Sequence, residues 1–211
     1  MSAVVLDHGG TIDKYVGDAV VAFWGAPLAG EKDGENCVAC ALALHRAAEA
    51  LRAAVAAEYG DTLGRTRIGL HHGTVVVGNF GGRRRIQYTA LGDAMNVAAR
   101  LEGANKYLGS DILASEAVRE RAPDFVWRPL GAVVLSGVET PLVLYEPVAD
   151  ERRSYTSDWA AAMRQLLEGR AGAAESLGSL ARDHPDDRAL AALAARVERI
   201  RGGKAYVLDA K

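Results

Sequence analysis

The chain has 211 residues, 49% of them hydrophobic, enough to bury a core in one or two domains. Its 25 Lys and Arg against 27 Asp and Glu leave a formal net charge of -2, so no global basic field directs it to nucleic acid and any anion site has to be local. No apolar run approaches the roughly 18 residues of a membrane span, and MSAVVLDHGG has neither a basic n-region nor an apolar h-region, which predicts a soluble, cytoplasmic chain with no membrane segment of its own.

Residues 10–24 alternate strand-like side chains on either side of Val16-Gly17-Asp18, the pattern of a hairpin with a tight turn. A lysine on such a hairpin, Lys14, is expected to be exposed and to tolerate charge substitution. After a loop with Pro27, Val38, Ala41, Leu42, Leu44, Ala48, Leu51 and Val55 recur at helical spacing and predict a helix from 35 to about 59 that covers a sheet. Cys37 and Cys40 form a CxxC there. No second Cys/His pair follows at zinc spacing, so the two are read as small buried helix residues.

RTRIGLHHG, TVVVGNFGG and RRRIQYTALG read as short Gly-bounded strands, and DAMNVAARLEGANKYLG then shifts to helical spacing. DILAS, a short helix from about Glu116, DFVWRPLGAVVL and TPLVLYEPVA return the chain to strands. Hairpins interleaved with helices predict an α+β domain over residues 1–148, a mostly antiparallel sheet with helices packed on it. Beyond it, VADERRSYTSD is polar, and Ala- and Leu-rich helical patterns follow around 159–167, 173–181 and 188–200. Residues 149–211 are expected to form a separate all-α tail, either one tetratricopeptide-like unit or a plain helical extension, too small to stand alone and therefore docked on the first domain or on a partner.

In DAMNVAAR a helix sets Asp93, Asn96 and Arg100 on a polar face opposite Ala94, Val97, Ala98 and Leu101. Together with GGTIDKYVGDAVVAFWGAP, RIGLHHGTVVVGNFG, RRRIQYTALGDAMNVAARLEGANK and DILASEAV, in that order, this block resembles the successive blocks of class III nucleotidyl cyclases of the bacterial adenylate cyclase type. The resemblance runs over roughly residues 8–148 and implies the class III cyclase fold with a ferredoxin-like core. It also implies a reaction, in which the ribose 3′-hydroxyl of ATP attacks the α-phosphate to give 3′,5′-cyclic AMP and pyrophosphate in intracellular signalling. Two divalent cations, Mg2+ or Mn2+, assist it.

By the same resemblance Asp18 is one of two metal aspartates, and Lys14 and Thr89 read the base. Adenine offers an acceptor at N1 and a donor at its amine, which a Lys donor and a Thr acceptor complement. Asn96 orients the ribose, and Arg100 stabilises charge on the α-phosphate with its planar fork. Arg84 aligns best, among Arg83, Arg84 and Arg85, with a further phosphate-contacting arginine. In the family the base-reading Lys and the metal Asp of one site come from opposite subunits, so the implied unit is a head-to-tail dimer, either of identical chains or with a fuller cyclase subunit.

Two departures from the family pattern stand out. The block like D-I-x-G-F-T that bears the second metal Asp is expected before Gly9, where eight residues stand, so the domain is expected to be N-terminally incomplete and its parent open to anchoring through that region. LSGVE, at 135–139, lacks the lysine that relatives place there for the terminal phosphates. The two readings are thus an adenylate cyclase catalytic domain and an incomplete homologue serving as a non-enzymatic dimer partner or nucleotide-binding regulator.

Overall fold

The computed structural model describes residues 1–138 and 140–208, with the side chains of residues 150–152 excepted. A short helix α1 (Ser2–Asp7), which the sequence patterns did not signal, buries Val5 and leads into the hairpin β1 (Thr11–Val16) and β2 (Ala19–Phe23). Gly17 takes φ +61 in the turn, the left-handed region that a Cβ disfavours. The loop after β2 leads to α2 (Asp33–Tyr59), closed by Gly60.

The next strands are β3 (Ile68–Leu70), β4 (Val76–Gly82) and β5 (Arg85–Leu91), followed by α3 (Asp93–Leu108), β6 (Ile112–Ser115), α4 (Glu116–Arg119), β7 (Trp127–Val134) and β8 (Leu142–Pro147). A 3-10 turn at Asp150–Tyr155 opens the tail, α5 (Thr156–Leu167), α6 (Ala173–Asp183), α7 (Arg188–Ala194) and α8 (Val197–Ile200), and a final strand β9 (Tyr206–Val207).

Hydrogen bonding divides the strands into three groups: the β1-β2 hairpin, the β4-β5 hairpin, and a sheet ordered β3-β6-β8-β7-β9. Pairing is antiparallel in both hairpins and between β8 and its neighbours, and parallel for β3-β6 and β7-β9. The architecture is the expected mixture of mostly antiparallel strands with helices packed on them.

Two features fix α3 on this sheet. Gly69 in β3 lets the helix backbone come so close that a Cβ there would sit 2.1 Å from the Ala98 carbonyl oxygen. The buried Asn105 amide donates to the Ile68 carbonyl at 2.9 Å and accepts from the Ser110 hydroxyl at 2.8 Å, so the polar groups at the helix-strand seam are satisfied.

The predicted third tail helix is broken into α7 and α8. Arg196 leaves helical geometry at the break, and its guanidinium donates to the Tyr107 carbonyl at the end of α3. The predicted apolar stripe nevertheless holds, with Leu190, Leu193, Val197 and Ile200 all buried. One continuous core joins Val97, Leu101, Leu113 and Leu144 to Trp159, Leu166, Leu177 and Leu190 of the tail. Polar contacts reinforce it. The fully buried Arg128 of β7 binds Glu146 of β8 and Asp187, whose carboxylate also accepts from the Tyr155 hydroxyl and caps α7 through the Leu190 N–H.

Candidate active site

Four of the sequence-selected residues fall into two local groups, and two stand at hairpin tips. Lys14 lies on β1 and Thr89 on β5, and these strands meet. The Gln87 amide reaches the Asp13 carbonyl at 3.5 Å, and the rings of Phe23 and Tyr88 lie 6.3 Å apart between the two hairpins. Gln87 and Thr89 share a face of β5 because side chains alternate along a strand, so Thr89 is on the face that meets β1. Its hydroxyl is buried and has no hydrogen-bond partner among the described residues. Lys14 is not a free surface lysine, since its Nζ lies 3.2 Å from the fully buried Asp13 carboxylate.

Asn96 and Arg100 lie one turn apart on α3, with Val97 and Leu101 buried on the opposite side as the periodicity predicts. The half-buried Arg100 side chain extends to the loop after β7, where its Nη1 donates to the Gly137 carbonyl at 3.0 Å. Gly137 takes φ +69, the left-handed region that a Cβ disfavours, and stands beside the Arg100 guanidinium.

Beside Arg100 an open cleft is lined by Arg67, Lys106, Tyr107 and Ser136. Arg67 and Lys106 were missed by motif reading because they come from the approach to β3 and the last turn of α3, far from LSGVE in sequence. They bring positive charge to the neighbourhood of the loop that lacks the expected lysine. Glu139 of that loop lies outside the described residues.

Asp18 is exposed in the β1-β2 turn and Arg84 is exposed in the β4-β5 turn. No hydrogen bond or ion pair among the described residues joins either to the other four. No group of three or more His, Cys, Asp or Glu side chains poised for a metal ion occurs among the described residues. Asp18 offers a hard carboxylate oxygen, the donor type that Mg2+ and Mn2+ take.

Two other clusters are chemically quiet. Burial pushes the Cys37 thiol up to about 12, with Cys40 and Asp33 adding to it, and pushes Cys40 up to about 11, so neither is a ready thiolate. His71, just past β3, pairs through Nδ1 with the Ser115 hydroxyl at 2.9 Å. Burial and the neighbouring His72 hold its pKa below the ordinary value against the opposing pull of Asp93.

The family model described as "Adenylate and Guanylate cyclase catalytic domain" matches residues 7–144. Over 158 residues the chain is 46% identical to adenylate cyclase 1 of Rhizobium meliloti, covering 74% of this chain and 24% of that protein. It is 38% identical over 124 residues to an adenylate cyclase of Anabaena cylindrica, 56% of this chain and 23% of that one, so it spans less than a quarter of either relative. Among solved structures it resembles the adenylyl cyclase CyaB from P. aeruginosa, with TM-score 0.64 and 34% identity over 72% of this chain and 78% of that chain. A guanylyl cyclase structure follows at TM-score 0.57 and 29% identity, over 72% and 77%. Because adenylyl and guanylyl enzymes both appear, base preference has to be argued from this chain's residues.

Proposed function

This chain belongs to the adenylate and guanylate cyclase catalytic domain family, and from that premise we propose that it serves as an adenylate cyclase subunit in signal transduction, forming 3′,5′-cyclic AMP and pyrophosphate from ATP at a site shared between two chains. The observation that carries the choice of ATP is the meeting of β1 and β5, which gives one chain a Lys14 donor and an unsatisfied Thr89 hydroxyl in the same neighbourhood. Lys14 donates to adenine N1, and Thr89 accepts from the exocyclic amine. Guanine presents N1–H and O6 in those places, a donor and an acceptor reversed.

Asn96 orients the ribose. Arg100 leaves the Gly137 carbonyl to take the α-phosphate, where its fork meets two oxygens and its charge is permanent. Such a preplaced cation stabilises the charge that grows as the 3′-oxygen attacks. Arg84, exposed at the tip of β4-β5, is proposed as a further phosphate contact, to a nucleotide shared with another chain. Class III cyclases use divalent metal ions, which when bound activate the 3′-hydroxyl and screen the phosphates. Asp18 is proposed as one ligand position. A two-metal site would need a second carboxylate beside it.

Dimerisation is supported by the exposed apolar side chains of the two hairpins, Tyr15 and Val16 on the first and Val76, Ile86 and Leu91 on the second. They give the partner chain a surface next to the base-reading residues. The described residues contain no span long and apolar enough to cross a membrane as a helix.

The proposed function requires ATP recognition. Titration calorimetry with ATP and GTP in the presence of Mn2+ tests it, with ATP expected to bind more tightly. Equal affinities, or a GTP preference, would remove the base-reading assignment.

A further inference from the structure

The pairing of β1 with β2 slips between Ile12 and Lys14. Ile12 faces Ala22 and Lys14 faces Val21, leaving Asp13 as the extra residue of a β-bulge. In a regular strand consecutive side chains point to opposite faces. A bulge breaks that alternation and re-aims the side chains beside it. Here it brings the Asp13 carboxylate within 3.2 Å of the Lys14 ammonium, although the two are neighbours in sequence.

The Asp13 side chain is 0% exposed while that of Lys14 is 41% exposed, so the pair runs from the interior to the surface. Neither Asp13 oxygen has a hydrogen-bond partner among the described residues, and the Lys14 contact is an ion pair outside hydrogen-bond geometry. Burying a carboxylate without donors is costly, and Lys14 supplies the one neutralising charge paired with it among the described residues. Thr89, the other proposed base contact, is the second buried polar group here without a partner.

We propose that Asp13 is the positioning residue that fixes the Lys14 ammonium for reading the base and thereby sets the preference for ATP over GTP. The inference rests on the reading of Lys14 as a base contact. A lysine is a point charge on a flexible four-carbon stem, and left free it can donate either to adenine N1 or to guanine O6. Anchored from below by a buried carboxylate, it is held where adenine offers an acceptor and guanine opposes it with an N1–H donor. Discrimination then comes from denying Lys14 the second position. The arrangement also corrects the expectation that position 14 tolerates charge substitution, because a Lys14→Glu change sets a second negative charge against a buried, donor-free one.

The test compares Asp13→Asn, Lys14→Ala and the double variant with the unmodified chain, measuring ATP and GTP affinities with Mn2+ by calorimetry and melting temperatures alongside. Asp13→Asn keeps the shape and removes the charge. It should cut the ATP-to-GTP affinity ratio by about tenfold, the scale of coupling between contacting residues, and should have no further effect on the ratio once Lys14 is Ala. A merely structural Asp13 would lower melting or both affinities together and leave the ratio unchanged, overturning the proposal. If Lys14→Ala itself leaves the ratio unchanged, the base-reading assignment fails. If Lys14→Ala shifts it and Asp13→Asn does not, only the positioning role fails. Carbon-13 relaxation at the Lys14 Cε reads the anchor without nucleotide. The side chain should be restricted in the unmodified chain and mobile in Asp13→Asn, and equal order in both would overturn the proposal.

Discussion

Replacing Arg128 tests how the tail is held to the sheet. Its guanidinium is fully buried, binds Glu146 and Asp187 at once, and lies 4.4 Å from the Trp159 ring centre. Burial works against the Arg128 charge, but the two carboxylates outweigh it and raise its pKa. For Asp187, burial pushes the pKa up, yet the Arg128 charge and the hydrogen bonds from Arg128, Tyr155 and the Leu190 N–H together hold it below the ordinary value. Arg128→Ala would remove the cation that the two buried carboxylates share. Breaking a buried pair from one side costs about 3–5 kcal/mol, which for a chain of this size lowers the melting temperature by about 6–20 °C. Circular-dichroism melts at neutral pH measure it. The pH dependence has a defined sign, since a carboxylate with a depressed folded pKa stabilises above its unfolded value of about 4 and loses that contribution as pH falls through the folded one. Asp187→Asn should therefore flatten the acid side of the stability profile. A loss below about 1 kcal/mol in Arg128→Ala, the range of surface pairs, would refute the claim that this cluster holds the tail.

Other expectations follow from the site's supports. Gly69→Ala should cost about 1–3 kcal/mol by overpacking and, by displacing α3, should weaken ATP binding more than urea unfolding alone accounts for. His71 is held neutral by burial, so the unfolded chain takes up its proton first and stability should fall as pH drops below about 6.5; His71→Gln should flatten that slope in denaturant titrations from pH 8 to 5. In an active assembly, Asn96→Ala and Arg100→Ala should lower kcat more than they raise KM, because their contacts strengthen toward the transition state.

Local patterns were legible where a single period dominates. Alternation across Thr11–Val16 and Ala19–Phe23 exposed the first hairpin, and the polar and apolar stripes of Asp93–Leu108 exposed the helix that carries Asn96 and Arg100. What escaped depends on pairing or on distant partners. The bulge that sets Asp13 beside Lys14 exists only once β1 is registered against β2. Arg128 and Asp187 are 59 positions apart, and nothing local marks a buried arginine at Arg128. β9 has two residues and forms only because β7 offers an open edge, while α7 and α8 keep one apolar stripe through a break that periodicity alone cannot see. Arg67 and Lys106 reach the Arg100 cleft from two different elements, so no motif joins them.

Complementation tests the central claim most directly. The chain is mixed with an adenylate cyclase catalytic domain that keeps both of its metal aspartates but has lost its own base-reading lysine and transition-state arginine. Cyclic AMP is then measured from ATP and Mn2+, with dimer formation checked by light scattering. If Lys14, Thr89, Asn96 and Arg100 form half of a shared site, the altered domain by itself should be silent and the mixed dimer should make cyclic AMP, with GTP a poor substrate. A mixed dimer that forms but makes no cyclic AMP would contradict that assignment.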